Sequence, residues 1–323
     1  VTSAASIDYW SLVSRSLRIV WKHKFLWFFG FFATAGGGGG GGFNWVEQGG
    51  PRIRDFFLAN PAILVLTIVG LVIVWLVLFV MNLISTGAVV AGVRGASEGR
   101  GVTFGYAWRE GLSAFWRLLG VAVLALIAFI FVTAICVVPI VLALFGGTSG
   151  IVIAVIIGAV LLLPYLAFLF LLAFTVTYAE REVVLAKASV FDAIYAGWDL
   201  TKRHIWKSLL VWLVMLGSGL LYALGLVLVL LIVAVPFILI GLANVFVALV
   251  IGIPIGVVIV VVASGAFGAY SYSVWTLAYD ELKRIDGASA AQPAGAAAPL
   301  VAPPAPPAAP AAPSVPPAAS PTG

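Results

Sequence analysis

Five stretches of this chain, about residues 60–86, 118–145, 150–178, 208–235 and 244–279, contain no charged side chain. Each is longer than the roughly 20 helical residues that cross a hydrocarbon core about 30 Å thick. Lipid offers backbone groups no hydrogen-bond partner, and no alternating apolar–polar pattern marks a barrel, so these stretches must be helices. Only 9% of the residues are charged, against about 25% in a typical soluble domain. Such a chain cannot coat a globular surface with charge. The sequence describes an integral membrane protein of the all-α class.

A sixth apolar segment, "FLWFFGFFATA" at 25–35, is shorter and follows basic residues. It has the layout of a signal peptide, with Ala-Thr-Ala as a cleavage site. The alternative is a retained membrane helix that starts near Leu17 and runs into seven consecutive glycines at 36–42. A phosphate loop requires a strand before such a run and a Gly-Lys-Ser/Thr ending after it, and neither is present. Glycine readily gives up helical order, so the run reads as a helix stop and a pliable external loop. At 60–61, Asn-Pro reads as a cap and first-turn proline for the next span.

Charge placement gives the orientation. Six spans put Arg15, Arg18, Lys22, Lys24, Arg94, Arg100, Arg109, Arg117, Arg181, Lys187, Lys202, Arg203, Lys207, Lys283 and Arg284 on one side. Only Arg52 and Arg54 fall on the other. The positive-inside rule makes the rich side cytoplasmic, with both termini inside an inner (plasma) membrane. The uncharged connections near 146–150 and 236–243 read as tight external turns.

The cytoplasmic segments share a pattern. "IDYWSLVSRSLRIVWKHKFLW", "TFGYAWREGLSAFWRLLGV" and "SVFDAIYAGWDLTKRHIWKSLLV" each place an aromatic-rich amphipathic stretch and basic residues before a span. The stripes are Trp10, Val13, Leu17, Val20; Phe104, Trp108, Leu112, Phe115; and Phe191, Ile194, Trp198, Ile205, all at helical spacing. Asp199 stands one turn from Lys202 and Arg203, close enough to pair. Such helices suit the headgroup layer, with rings at the boundary and cations toward anionic lipid. The lipid-contact candidates are Trp10, Lys22, Lys24, Trp108, Trp116, Arg117, Trp198, Lys202, Arg203, Trp206 and Lys207. The other two copies lead into a span, which favours keeping 25–35 as one. The expected architecture is six transmembrane helices in three hairpins, each preceded by a cytoplasmic interfacial helix. The repeats cover about 7–86, 104–178 and 190–279 of a membrane domain at 1–286.

Residues 178–214, with Glu180-Arg181-Glu182 at a span end, the Ala193/Gly197 pair and a basic-aromatic entry into the next span, carry a resemblance. The stretch resembles the cytoplasmic connection of YciC-like bacterial inner-membrane proteins and of the membrane domain attached to some glycerophosphodiester phosphodiesterases. That resemblance implies six helices and supplies no catalytic residue.

Other chemistry finds little footing. His23 and His204 are the only histidines, and the lone cysteine is Cys136, too few ligands for a catalytic zinc site. Glu180, Arg181 and Glu182 read as a structural charge cluster at a membrane exit. No ionisable residue lies within the spans, which disfavours ion-coupled transport. Pro139, Pro164, Pro236 and Pro254 are candidate kinks, and "GIPIG" at 252–256 fits a small-residue helix contact. From 287 to 323 the chain turns Pro/Ala-rich and uncharged, the composition of a disordered cytoplasmic tail. The sequence therefore points to a non-enzymatic envelope protein, a scaffold or accessory subunit with lipid contacts and a possible membrane-protein partner. It needs no cofactor or metal and binds no nucleic acid. The alternative is a transporter or lipid-handling protein for a neutral or amphiphilic substrate.

Overall fold

The computed structural model describes residues 8–35 and 55–291. Its helices are α1 (Tyr9–Lys22), α2 (Leu26–Ala35), α3 (Pro61–Ser97), α4 (Phe104–Leu144), α5 (Gly147–Leu185), α6 (Val190–Arg203), α7 (Ile205–Ala243) and α8 (Val245–Ala291). The chain forms two units: Val1–Lys283 holds the bundle, and the described part of Arg284–Gly323 is helical. Among the described residues five helices, α3, α4, α5, α7 and α8, are long and apolar enough to cross a membrane. This is a helical, multi-pass membrane protein. The ten residues of α2 rise roughly 15 Å, half a hydrocarbon core. The glycine run, Arg52, Arg54 and the Pro/Ala tail beyond 291 lie outside the described residues.

The long helices pass through their prolines. Pro139, Pro164, Pro236 and Pro254 all sit inside helices, because any break in an apolar medium would strand backbone groups. This moves one expected turn. Residues 236–243 belong to α7, and the chain reverses at Asn244, whose Oδ1 accepts from the Val247 N–H at 3.2 Å and so caps α8. Asn60 precedes Pro61 as expected, but its side chain turns back to donate to the Phe56 carbonyl at 2.9 Å and makes no cap bond.

The five long helices hold 37 to 47 residues, roughly 55–70 Å at 1.5 Å per residue. That is about twice a hydrocarbon core. Burial divides them accordingly. In the most apolar stretch of each, at most 6% of residues are covered by protein. Leu66, Trp75, Leu163, Leu224 and Leu242 stand well exposed along these outer parts. The packed core lies at the opposite end, here called the base. There Leu83 and Val90 of α3, Leu118 and Val121 of α4, Val183 of α5 and Ala193 of α6 form one cluster.

Counting about 20 residues inward from the outer turns reaches residues near 80 of α3, 124 of α4, 167 of α5, 223 of α7 and 265 of α8. The buried residues of each helix begin near or beyond those points, with the single exceptions of Gly150, Ala154 and Ala248. Burial thus changes about one bilayer thickness from the turns.

Backbone-to-backbone crossings hold the base. A Cβ on Gly30 of α2 would meet Ala269 N and the Gly265 carbonyl of α8 at 2.3 Å, and one on Gly268 would meet the Gly30 carbonyl at 2.3 Å. A Cβ on Gly111 of α4 would meet the Ile84 carbonyl of α3 at 2.3 Å. On Gly197 of α6 it would meet the Thr175 carbonyl of α5 at 2.6 Å. Small residues permit this approach where lipid supplies no hydrophobic drive between helices. The "GIPIG" pair is not such a crossing: Gly252 faces the Phe237 ring and Gly256 faces open space.

Candidate functional site

A polar network runs through the base. Arg181 of α5 is 2% exposed; its Nη1 donates to the Thr177 carbonyl at 2.5 Å and lies 3.2 Å from Glu180. Its guanidinium stands over the Tyr272 ring of α8, 5.5 Å from the centroid. The Tyr272 hydroxyl meets Thr86 of α3 at 3.3 Å and donates to the Ala33 carbonyl of α2 at 3.3 Å. Asn82 of α3 donates to the Phe32 and Ala33 carbonyls at 2.9 and 2.7 Å. Both carbonyls lie in the last described turn of α2. Four helices are therefore tied at one level by groups that would be costly to leave unmatched.

Ion pairs close the network toward the lower edge. Arg94 of α3 joins Asp280 of α8, and Lys283 of α8 joins Glu182, which is buried. Arg94 also donates through Nε to Glu98 at 2.5 Å, and Arg100 pairs with the other Glu98 oxygen. Glu98 follows the end of α3, outside the span, and hydrogen bonds from Arg94 and then Arg100 hold its carboxyl below the ordinary carboxylate value. Because the folded pKa is lowered, this contribution is present above the unfolded carboxylate pKa and is lost as pH falls through the lowered one. Wild type should therefore unfold at a higher midpoint than Glu98→Gln near neutrality, and the difference should shrink as pH falls through the lowered carboxyl pKa and vanish below it. A gap that persists there would count against the ionic origin.

The second feature is a set of helix starts. Asp8 caps α1 by accepting from Trp10 N and Ser11 N at 3.1 Å. Thr103 caps α4 from Tyr106 N at 3.3 Å, and Ser189 caps α6 from Asp192 N at 3.4 Å. Four residues after each cap stand Leu12, Ala107 and Ala193, and eight after stand Ser16, Gly111 and Gly197, all buried. Trp10, Leu17, Trp21, Leu112, Trp116, Phe191 and Tyr195 are exposed on these same segments. Each segment thus has one face in the base and an apolar face that no protein covers.

The expected contact residues separate into groups. Trp10, Trp116 and Trp206 are 75–79% exposed, and Lys22, Lys24, Lys202 and Arg203 are exposed as well. Arg117 and Lys207 are half-buried. Arg203 pairs with Asp199 at 2.8 Å, while Lys202 instead lies over the Trp198 ring at 5.2 Å. Trp108 is half-buried in an aromatic stack with Phe104 and Phe29, both 6.2 Å away.

Between α1, α2, α7 and α8 lies a cavity of about 480 Å³ lined by residues including Leu17, Trp21, Trp27, Tyr222, Phe267 and Tyr270. Its polar groups are already matched. Ser218 meets Tyr270 at 3.0 Å, Tyr222 meets Ser264 at 3.2 Å, and Trp27 Nε1 donates to the Val20 carbonyl at 3.1 Å. Thr133 and Tyr165 likewise join α4 to α5 at 3.0 Å. A second cavity of about 440 Å³, near the outer turn of α7 and α8, is lined by apolar residues such as Phe237 and Ile253. Among the described residues no three His, Cys, Asp or Glu side chains gather as a metal-holding group. In comparisons with known proteins, no protein-family model, curated protein or solved structure matches the chain.

Proposed function

We propose that this chain is a non-enzymatic polytopic protein of a bacterial inner membrane, a scaffold or accessory subunit held among lipids. The observation that supports it most is the division of the bundle along its length. The base is fixed by glycine crossings and ion pairs, while the outer parts of the long helices leave their apolar faces uncovered. A platform of fixed geometry carrying lipid-facing arms suits the positioning of other membrane components. The hydroxyls between the arms bond to one another, so they do not converge on a polar substrate.

In this reading the segment at 25–35 is retained as the first of six spans, and the spans form three hairpins led by α1, the start of α4, and α6. A shared register supports the repeat. The caps Asp8, Thr103 and Ser189 are followed at the same steps by Leu12, Ala107, Ala193, by Ser16, Gly111, Gly197, and by Lys22, Arg117, Arg203. The basic residues of the base make it the cytoplasmic side. Membership of the YciC-like group is part of this proposal.

Native mass spectrometry of the chain, extracted gently from its own membrane, tests the reading. A scaffold or accessory subunit carries a second protein at fixed stoichiometry. A chain that emerges alone at 33.8 kDa would overturn it. The lipid-handling alternative is favoured by one observation, the cavity beside α1.

A further inference from the structure

We infer that the cavity between α1, α2, α7 and α8 is a binding site for one acyl chain of an anionic glycerophospholipid, with its headgroup on Arg18 and Lys22 of α1. Three observations carry this. The first is the lining. At about 480 Å³ the space falls within the roughly 300–1,000 Å³ of ordinary ligand sites. Its hydroxyls and the Trp27 indole N–H are bonded to protein. The walls therefore offer an occupant only apolar contact, which suits a hydrocarbon chain and not a polar solute.

The second is depth. Tyr222 lies 21 residues before the end of α7 at Ala243, and Ala266 lies 21 residues after the start of α8 at Val245. At 1.5 Å per residue both are roughly 30 Å from the outer turn, one hydrocarbon thickness away. Trp21, Trp27, Tyr222 and Tyr270 on the wall are the residue types that collect at a membrane boundary. Trp21 and Leu221 are 62% and 74% exposed, so the cavity opens sideways, where the surrounding solvent is lipid.

The third is charge. Arg18 and Lys22 each follow a lining residue, Leu17 and Trp21, by one step around α1, and both are exposed. Within the described residues neither joins an acid, whereas Arg94, Arg181 and Lys283 of the base are all in ion pairs. Cations left unpaired beside an apolar slot at headgroup depth match an anionic lipid better than a zwitterionic one.

The inference rests on α1 lying at the inner boundary and is independent of whether the chain has a protein partner, so the subunit measurement above can fail without it, and the reverse. The full chain would be placed in nanodiscs of equal phosphatidylglycerol and phosphatidylcholine, released, and examined by native mass spectrometry. Wild type should retain one lipid, predominantly phosphatidylglycerol. Ala263→Phe/Ala266→Phe, which fills the slot, should lose that lipid while keeping its unfolding midpoint. Arg18→Gln/Lys22→Gln changes two exposed positions outside the core. It should keep a lipid but lose preference by about fivefold per cation removed. Equal retention of both lipids by wild type, or an undiminished adduct in the filled variant, would overturn the assignment. If the filled variant does not fold, the headgroup preference of the exposed-site variant still decides it.

Discussion

Arg181→Leu should lower the unfolding free energy by about 2–3 kcal/mol, short of the about 3–5 kcal/mol for breaking a fully buried pair, because the Glu180 side chain keeps 25% of its surface exposed. The guanidinium is 2% exposed, pairs with Glu180, donates to the Thr177 carbonyl and covers the Tyr272 ring. Its loss strands Glu180 and frees Tyr272, which bonds α3 and α2. The control is Glu180→Leu/Arg181→Leu. Removing both charges leaves no uncompensated ion, so most of the lost stability should return. Equilibrium unfolding in mild detergent measures both. A double variant no better than the single would mean that the Thr177 and Tyr272 contacts, and not the ion pair, dominate.

Gly30→Ala should be nearly as damaging, although it adds a single methyl group. That methyl would overlap Ala269 N and the Gly265 carbonyl at 2.3 Å. Backbone atoms of a packed helix cannot turn aside as a side chain can, so α2 must move away from α8. Overpacking of this kind costs about 1–3 kcal/mol, occasionally more. Shifting α2 also strains the Asn82 and Tyr272 bonds to its last carbonyls. Gly70→Ala in the uncovered part of α3 is the matched control: nothing lies within 4 Å of its added Cβ. It should leave the midpoint unchanged or raise it, since alanine favours helix over glycine.

Much of the architecture was legible because lipid imposes a strong rule. Charge-free runs of sufficient length located five spanning helices without any knowledge of packing. Local spacing was equally readable: Asp199 and Arg203, one turn apart, do pair. What escaped was set by distant contacts. Arg94 joins Asp280, and Lys283 joins Glu182, yet no periodicity links residues so far apart in the chain. Gly265 and Gly252 sit in similar small-residue surroundings, and only the approach of α2 makes the first a crossing point. Trp108 fits an interfacial stripe by spacing, and its contact with Phe29 of α2 could not be read from that spacing. The uncharged stretch 236–243 read as an external turn, whereas the apolar medium keeps α7 helical through to Ala243. The cavity was invisible for the same reason, since its walls come from four helices.

In the proposed orientation the charged, packed base lies at the cytoplasmic face and the outer parts of the helices cross the bilayer. Single cysteines introduced as Gly101→Cys and Ser149→Cys, with Cys136→Ala removing the native thiol, test it by labelling with a membrane-impermeant maleimide. Both sites are exposed, Gly101 at the base between α3 and α4 and Ser149 in the first turn of α5 at its outer end. In intact spheroplasts Ser149→Cys should label and Gly101→Cys should label only after permeabilisation. Labelling of Gly101→Cys in intact spheroplasts would contradict that orientation.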